Sequence, residues 1–553
     1  MNPSRRDAIA ALVGWPALAS LLSCRRGPER PRYGGEVVGG DLLRGHKLRT
    51  GELLARPPVR RERVGTAILG AGISGLSAAW TLARAGDTDF RLYELEDAPG
   101  GNARSGRNDV SRYPWGAHYV PVPVDPNPAL EALLSEAGAV EGRTPDGRPV
   151  WAEQVLCADP EERLFFRGLW WEGLYPRAGA SGQDLAELAR LEREMHRFAS
   201  LRDARGRRAF AIPRRLSSDD AEWTALDRIS MREWLSRNGF TGSRLVWFVE
   251  YGCRDDFGSS LDDTSAWAGI HYFASRLPGH ATADEPFEEP SPFLTWPEGN
   301  GHLVDVLLRS GKERIVTGTV VFDVVPRADG VEVRYLDAPR NEVVSVEARH
   351  AVLALPHFVA ARVLAPWRKE PPPFVAEFQY APWVVANLTL ADRPKERGFP
   401  MAWDNVLYDS RGLGYVVATH QSGPSRGPTV LTYYLVFAGE EPRKAREKLL
   451  SATWDELAGA AIADLSRAHP DLPGLVTRAD VYLWGHAMAR PHPGFVWSPG
   501  RAAAQQPFGR VRFAHADASA FPLFEEAQDA GVRAAESILK ENGTPFLALG
   551  SGL

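Results

Sequence analysis

Cysteine is scarce in this 553-residue chain, with three residues at Cys24, Cys157 and Cys253. A framework of several disulfides is therefore excluded. An oxidising compartment would permit one bond between Cys157 and Cys253, and two buried free thiols account for them equally well. Excess charge of one sign is also lacking, because 65 Lys and Arg against 70 Asp and Glu leave a net charge of −5. No basic stripe is present, which excludes nucleic acid as a partner. The apolar stretch from Ala8 to Leu22 is too short to span a membrane and fits the hydrophobic part of an export signal. No internal repeat is apparent. His486 and His492 have no further Cys, His or carboxylate at supporting spacing, so no metal site is expected.

Core-forming and aromatic residues are plentiful: 44% of the chain is hydrophobic, with 17 Trp, 14 Tyr and 23 Phe. That supply suits a large core and an aromatic-walled cavity, and the length calls for two interleaved domains. From Thr66 to Leu69 a short apolar strand runs into Gly70-Ala71-Gly72-Ile73-Ser74-Gly75, and Leu76 to Ala85 continues as an Ala-rich helix ended by Gly86. Gly70 permits the tight turn, Gly72 lets backbone approach a pyrophosphate, and Gly75 allows close helix–strand packing. The N–H groups and positive dipole at the helix start, including Ile73 and Ser74, would hold that pyrophosphate. A second strand, Phe90 to Tyr93, delivers Glu94, nineteen residues after Gly75. Its carboxylate suits a ribose hydroxyl pair and would repel a 2′-phosphate. The spacing therefore predicts a non-phosphorylated dinucleotide.

Glu94 is followed by Gly100-Gly101 and then Asn102-Ala103-Arg104-Ser105. This resembles the extended E-x5-GG motif of the FAD-dependent amine oxidase and phytoene desaturase superfamily. The resemblance implies FAD, an α/β fold with a Rossmann-like FAD-binding domain, and a discontinuous, interleaved substrate domain. In that family an Arg usually follows the paired glycines; Asn102 takes its place here, with Arg104 nearby. The stretch Arg314 to Val333 resembles the segment whose valine backbone contacts adenine, which implicates Val321, with Val320 as the alternative. The run Val511 to Leu539 resembles the family's closing strand and helix. It implies Asp517 near the ribityl chain, with Leu523 and Phe524 at a helix start whose N–H groups stabilise the reduced flavin. The expected FAD-binding domain covers 64–125, 290–364 and 500–543, and the substrate domain covers 126–289 and 365–499. Within the latter, Leu185, Leu188, Leu191, Met195 and Phe198 are spaced as a core stripe on one helix.

For the chemistry, the first candidate is His118, in a segment that stands where the family places a strand edge beside the isoalloxazine. Trp296, in a Gly-rich stretch resembling the family's cavity-crossing segment, and Trp484, where relatives supply an aromatic facing the flavin, are the other catalytic candidates. Tyr251 to Gly258 reads as a functional loop or, equally, as a salt-bridged turn. No lysine is identifiable at the place where many amine oxidases use one to hold water near flavin N5.

At the N-terminus, Arg5-Arg6 resembles a twin-arginine export signal, although Ala8 and Ala10 replace the usual Phe and Lys. Leu21 to Cys24 resembles a lipobox whose cysteine is lipidated. These imply a signal peptide over 1–24, a tether over 25–63, and an enzyme exported to the bacterial periplasm or envelope and anchored to the membrane through Cys24. The activity implied is hydride removal from a C–N or C–C bond of a small or hydrophobic substrate. A flavin-dependent desaturase or isomerase of a lipid-like substrate is the first alternative, and a flavin-containing binding protein without turnover is the second. The electron acceptor is left open among oxygen, a quinone and another protein.

Overall fold

The computed structural model describes residues 33–278 and 293–550. The expected signal and lipobox, Cys24 included, lie outside the described residues. The fold is α/β and is organised around two large sheets.

The first sheet is built on the parallel strands Phe90–Tyr93, Arg60–Leu69 and Glu342–Leu353. Arg60–Leu69 starts exposed and polar, and its last five residues are buried. The apolar half thus sets the strand into the core, and the glycine turn follows at its buried end. Glu342–Leu353 changes neighbours along its length. Its first part pairs antiparallel with Val331–Asp337, and residues 351–353 pair in parallel with Val511–Phe513. That second pairing brings the C-terminal block to the glycine turn. The final helix, Phe524–Glu541, crosses the helix Ile73–Arg84 at backbone contact: a Cβ on Gly531 would sit 2.1 Å from the Ser74 carbonyl oxygen.

The second sheet has eight strands, with the long antiparallel strands Tyr380–Leu390, Thr429–Val436 and Val476–Ala489 at its centre. Fully apolar runs such as Trp383-Val384-Val385-Ala386 are buried on both faces. The helices Gly182–Ser200, Ser243–Phe257 and Ala266–Ala274 share a core with Phe495, Phe521 and Tyr380. On Gly182–Ser200, which is started by a Ser181–Asp184 capping box, Leu188, Leu191, Met195 and Phe198 are buried. Leu185 departs from the expected stripe and is 41% exposed, because it lies on the first turn, at the end of the helix.

The segment expected as a tether is folded from residue 33 onward. Val37–Val38 pairs in parallel with Val481 and Tyr482, and the helix Leu42–His46 is capped by Asp41. The glycines that suggested flexibility serve close contact instead: a Cβ on Gly35 would lie 1.9 Å from the Ala479 carbonyl oxygen, and one on Gly39 would lie 2.0 Å from the Tyr482 ring. Cys157 and Cys253 are both free and buried in different apolar clusters, so no bond joins them. Burial pushes both thiols up.

Candidate active site

The nucleotide end of the site is shaped by close packing of glycines. Gly70 adopts φ +101° and donates its N–H to the Tyr93 carbonyl at 2.8 Å. A Cβ on Gly75 would stand 1.9 Å from the Gly70 carbonyl oxygen. Gly72 differs, because the nearest protein atom to a Cβ there is Gly101 Cα at 3.8 Å. The fold does not require glycine at 72 for its own packing, so the free space over it is available to a ligand. Ile73–Arg84 begins beside that space with no side-chain cap, so the N–H groups of Ile73, Ser74 and Gly75 are left for an anion.

Glu94 is buried and accepts from the Ala71 N–H at 2.7 Å and the Glu96 N–H at 2.9 Å. Burial raises its carboxyl, and those two N–H groups act against the rise. Gly100 and Gly101, at φ +118° and +53°, close over Gly72, with the Gly100 N–H bound to Ala71. Uncapped N–H groups, an open glycine and a buried carboxylate fit the pyrophosphate and ribose of FAD. Arg104 donates to the Tyr482 hydroxyl at 2.9 Å and to the Ala98 carbonyl, and Asn102 donates to the Ala487 carbonyl. Arg104 thus braces the turn against the second sheet. Val321 is buried beside a strand irregularity, in the cluster that holds Ala67, Leu69 and Tyr93.

Asp517 is 1% exposed. One carboxylate oxygen accepts from the His357 N–H at 2.8 Å and the Tyr380 hydroxyl at 2.6 Å, and the other accepts from His357 Nδ1 at 2.9 Å. Burial would raise this carboxyl, but the charges of His357 and then His515 hold it well below the usual range. Leu523 is the N-cap of Phe524–Glu541 and supplies no capping side chain, so this second helix start also keeps free N–H groups.

Next to that helix start lies an open cavity, with about 850 Å³ of atom-free space when the solvent at its mouth is included. Asn102, His118, Trp484, Leu523 and Phe524 border it, as do Tyr119, Asn300, Trp383 and Tyr434. Tyr434 donates to the Gly116 carbonyl at 2.9 Å, and Trp484 donates to the Trp115 carbonyl at 2.6 Å while stacking on Tyr482. The His118 ring packs among Tyr119, Trp403 and Tyr434, its Nδ1 lies 3.3 Å from the Gly116 carbonyl oxygen, and burial pushes its imidazole down to about 4. It is therefore neutral and a weak proton acceptor, which argues against the acid/base role expected of it.

Trp296 stands apart. It stacks on His302 with ring centroids 5.0 Å apart, in the core of the first sheet, and does not border the cavity, which corrects its place among the catalytic candidates. His492 is bonded to the Glu377 carbonyl, and His486 stacks on Phe358; neither borders the cavity.

The acidic groups of the cavity were not assigned from sequence. Asp255 and Asp256 border it from Ser243–Phe257, which is a helix where a loop or turn was expected, and Glu525 borders it from the second position of the final helix. Arg276 is the basic residue among the described lining residues, and no lysine is among them. Burial, with Asp256 adding to it, raises the Asp255 carboxyl to about 7, and burial raises Glu525 to about 7. The adjacent acids in an apolar setting and the Glu-Glu pair after Phe524 were visible as residues. Their convergence on one cavity depends on how the two helices pack.

A two-sheet α/β fold with this dinucleotide cradle and an aromatic cavity at a second helix start defines an FAD-dependent oxidoreductase. Residues 73–539 match the model of the flavin-containing amine oxidoreductases, and the chain belongs to that family. A search of curated proteins finds no match. Wild-type putrescine oxidase bound to putrescine has a similar fold, with TM-score 0.60 and 18% identity over 87% of this chain and 100% of the other. Cyclohexylamine oxidase from Brevibacterium oxydans IH-35A gives 0.61 and 16% over 88% and 100%. A CLA-producing fatty acid isomerase from P. acnes gives 0.58 and 14% over 86% and 98%.

Proposed function

We propose that this enzyme oxidises a small amine, removing a hydride from the carbon next to nitrogen. The observation that carries this reading is the set of acids in the cavity: Asp255, Asp256 and Glu525 face, among the described lining residues, a single basic side chain, Arg276, inside aromatic walls. An ammonium group gains from those carboxylates and from the faces of Trp383, Tyr434 and Trp484. Bound FAD supplies the two-electron acceptor. The Leu523–Phe524 helix start offers its N–H dipoles to the negative charge that develops, and the aromatic rings exclude water. Two proteins of similar fold are named for amines, putrescine and cyclohexylamine, which accords with this choice.

The isomerase-like fold match supports the lipid alternative, yet a fatty-acid carboxylate would meet Asp255 and Glu525, and Arg276 is already bonded to Asp256. The same reading places the enzyme outside the cytoplasm, tethered through a lipid on Cys24, on the strength of the N-terminal residues. Anaerobic addition of cyclohexylamine, 1,4-diaminobutane or linoleate to the purified holoenzyme tests the substrate class. Bleaching of the flavin bands by an amine alone is expected. Bleaching or double-bond migration with linoleate alone would transfer the assignment to the lipid reading, and a flavin that no substrate reduces would favour a binding protein.

A further inference from the structure

Glu525 is 4% exposed, yet no hydrogen bond or ion pair to another residue satisfies its side chain among the described residues. It is also shared between two openings. It borders the flavin-side cavity together with Asp255 and Asp256, and it borders a smaller adjoining cleft together with Asp125, Asn127 and Ser275. Its neighbours are otherwise engaged. Asp256 is bound by Arg276, Asp125 is bound by Arg208, and Glu526 accepts from the Arg214 backbone N–H. Its own backbone N–H and the charge of Arg276 act on this carboxylate, and at the helix start beside Phe524 it still borders the cavity, where an occupant can donate to it.

Resting on the amine reading, we infer that Glu525 is the proton acceptor that converts the bound ammonium to the free amine before oxidation. An alkylammonium has no lone pair with which to support loss of hydride from its α-carbon. Glu525 would take the N–H proton, leaving R–CH2–NH2 and a neutral carboxyl group. The C–H electron pair and its proton would then pass together to FAD, giving R–CH=NH2+ and two-electron-reduced cofactor. Atoms, charge and electrons balance with no further reactant. Asp255 lies on a different helix beside Tyr119 and Tyr434, and it serves as an electrostatic anchor for the cation.

Groups that set the proton affinity of Glu525 come from every side. Burial raises it and Arg276 lowers it, while Glu526 and Asp256 add further repulsion; His118, Asp255 and Asp125 complete the ionisable surroundings. The acceptor is competent when ionised, so the rate of flavin reduction rises with pH through about 7.

The test compares anaerobic flavin reduction by cyclohexylamine and by 1,4-diaminobutane across pH in the wild-type holoenzyme, Glu525→Gln and Asp255→Asn. Flavin content and thermal unfolding are measured beside the rates. Glu525→Gln is expected to load FAD and to lose about 100-fold in reduction rate at neutral pH. It should lack the limb near pH 7 and recover as the solution approaches the pKa of the free amine. Asp255→Asn should raise KM and keep the limb. An unchanged limb in flavin-loaded Glu525→Gln would overturn the inference. Should Glu525→Gln fail to load FAD, Glu525→Asp carries the test: a displaced limb supports the role, and an unmoved one refutes it. If neither amine reduces the wild type, it is the amine reading itself that has failed.

Discussion

Arg276 donates from Nη2 to Oδ1 of Asp256 at 2.8 Å, with side-chain exposures of 6% and 4%. The bond commits the basic side chain of the cavity lining to one of its three carboxylates. Asp255 and Glu525 are not held by that bond; burial raises both carboxyls to about 7, and the charge of Arg276 acts against the rise.

Removal of the arginine should therefore be felt twice. Arg276→Met leaves Asp256 buried without its counter-charge and is expected to cost about 3–5 kcal/mol of stability. Because Arg276 lowers the Glu525 carboxyl, its loss also moves the reduction-rate limb to higher pH than in the wild type. Denaturant unfolding reads the first effect, and pH-dependent flavin reduction reads the second.

Gly72→Val separates cofactor binding from folding. No protein atom lies closer than 3.8 Å to a Cβ at 72, and φ there is −77°, so the fold accepts the side chain. The pyrophosphate position does not. The variant should show wild-type secondary structure by circular dichroism and almost no bound flavin by absorbance. Gly75→Ala should fail earlier, at folding, because its Cβ falls 1.9 Å from the Gly70 carbonyl oxygen.

These two glycines show how far the sequence was legible. The strand, turn, helix and Glu94 are local in the chain, so spacing alone placed them, and the structure assembles them at one end of the first sheet. His118 and Trp484 border the cavity. The acidic lining was hidden because Asp255 and Glu525 lie 270 positions apart and meet only through packing of two helices. Trp296 misled for the same reason: its glycine-rich neighbourhood does approach the site, through Asn300, while the indole turns away onto His302. The folded segment from 33 to 63 was missed because glycine reads the same way in a flexible linker and in an edge strand pressed against Ala479 and Tyr482.

Asp517→Asn should expose a pH-dependent contribution to stability. The folded Asp517 carboxyl is held well below its ordinary value, so its contribution is present above about pH 4 and disappears as pH falls through the folded value. His357 is raised, by Asp517 acting against burial, so its contribution is full below about pH 6.5 and is lost as pH rises through its folded value. The stability gap between wild type and variant should peak between those limits, at about 3–5 kcal/mol. Equilibrium unfolding from pH 3 to 9 measures it, and a gap independent of pH would count against the charged pair.

The proposed export rests on Arg5 and Arg6. Changing both to lysine should retain flavin-loaded protein in the cytoplasm, and Cys24→Ala should release exported protein from the membrane fraction. Cell fractionation with flavin absorbance reads both outcomes, and undiminished delivery of the double-lysine variant would remove the twin-arginine assignment.

The most direct test of the account is the rate of anaerobic flavin reduction with cyclohexylamine carrying deuterium at the carbon bonded to nitrogen. Cleavage of that C–H bond predicts severalfold slower bleaching than with the unlabelled amine and formation of the corresponding imine. Equal rates together with full retention of deuterium in recovered substrate would contradict amine oxidation at this site.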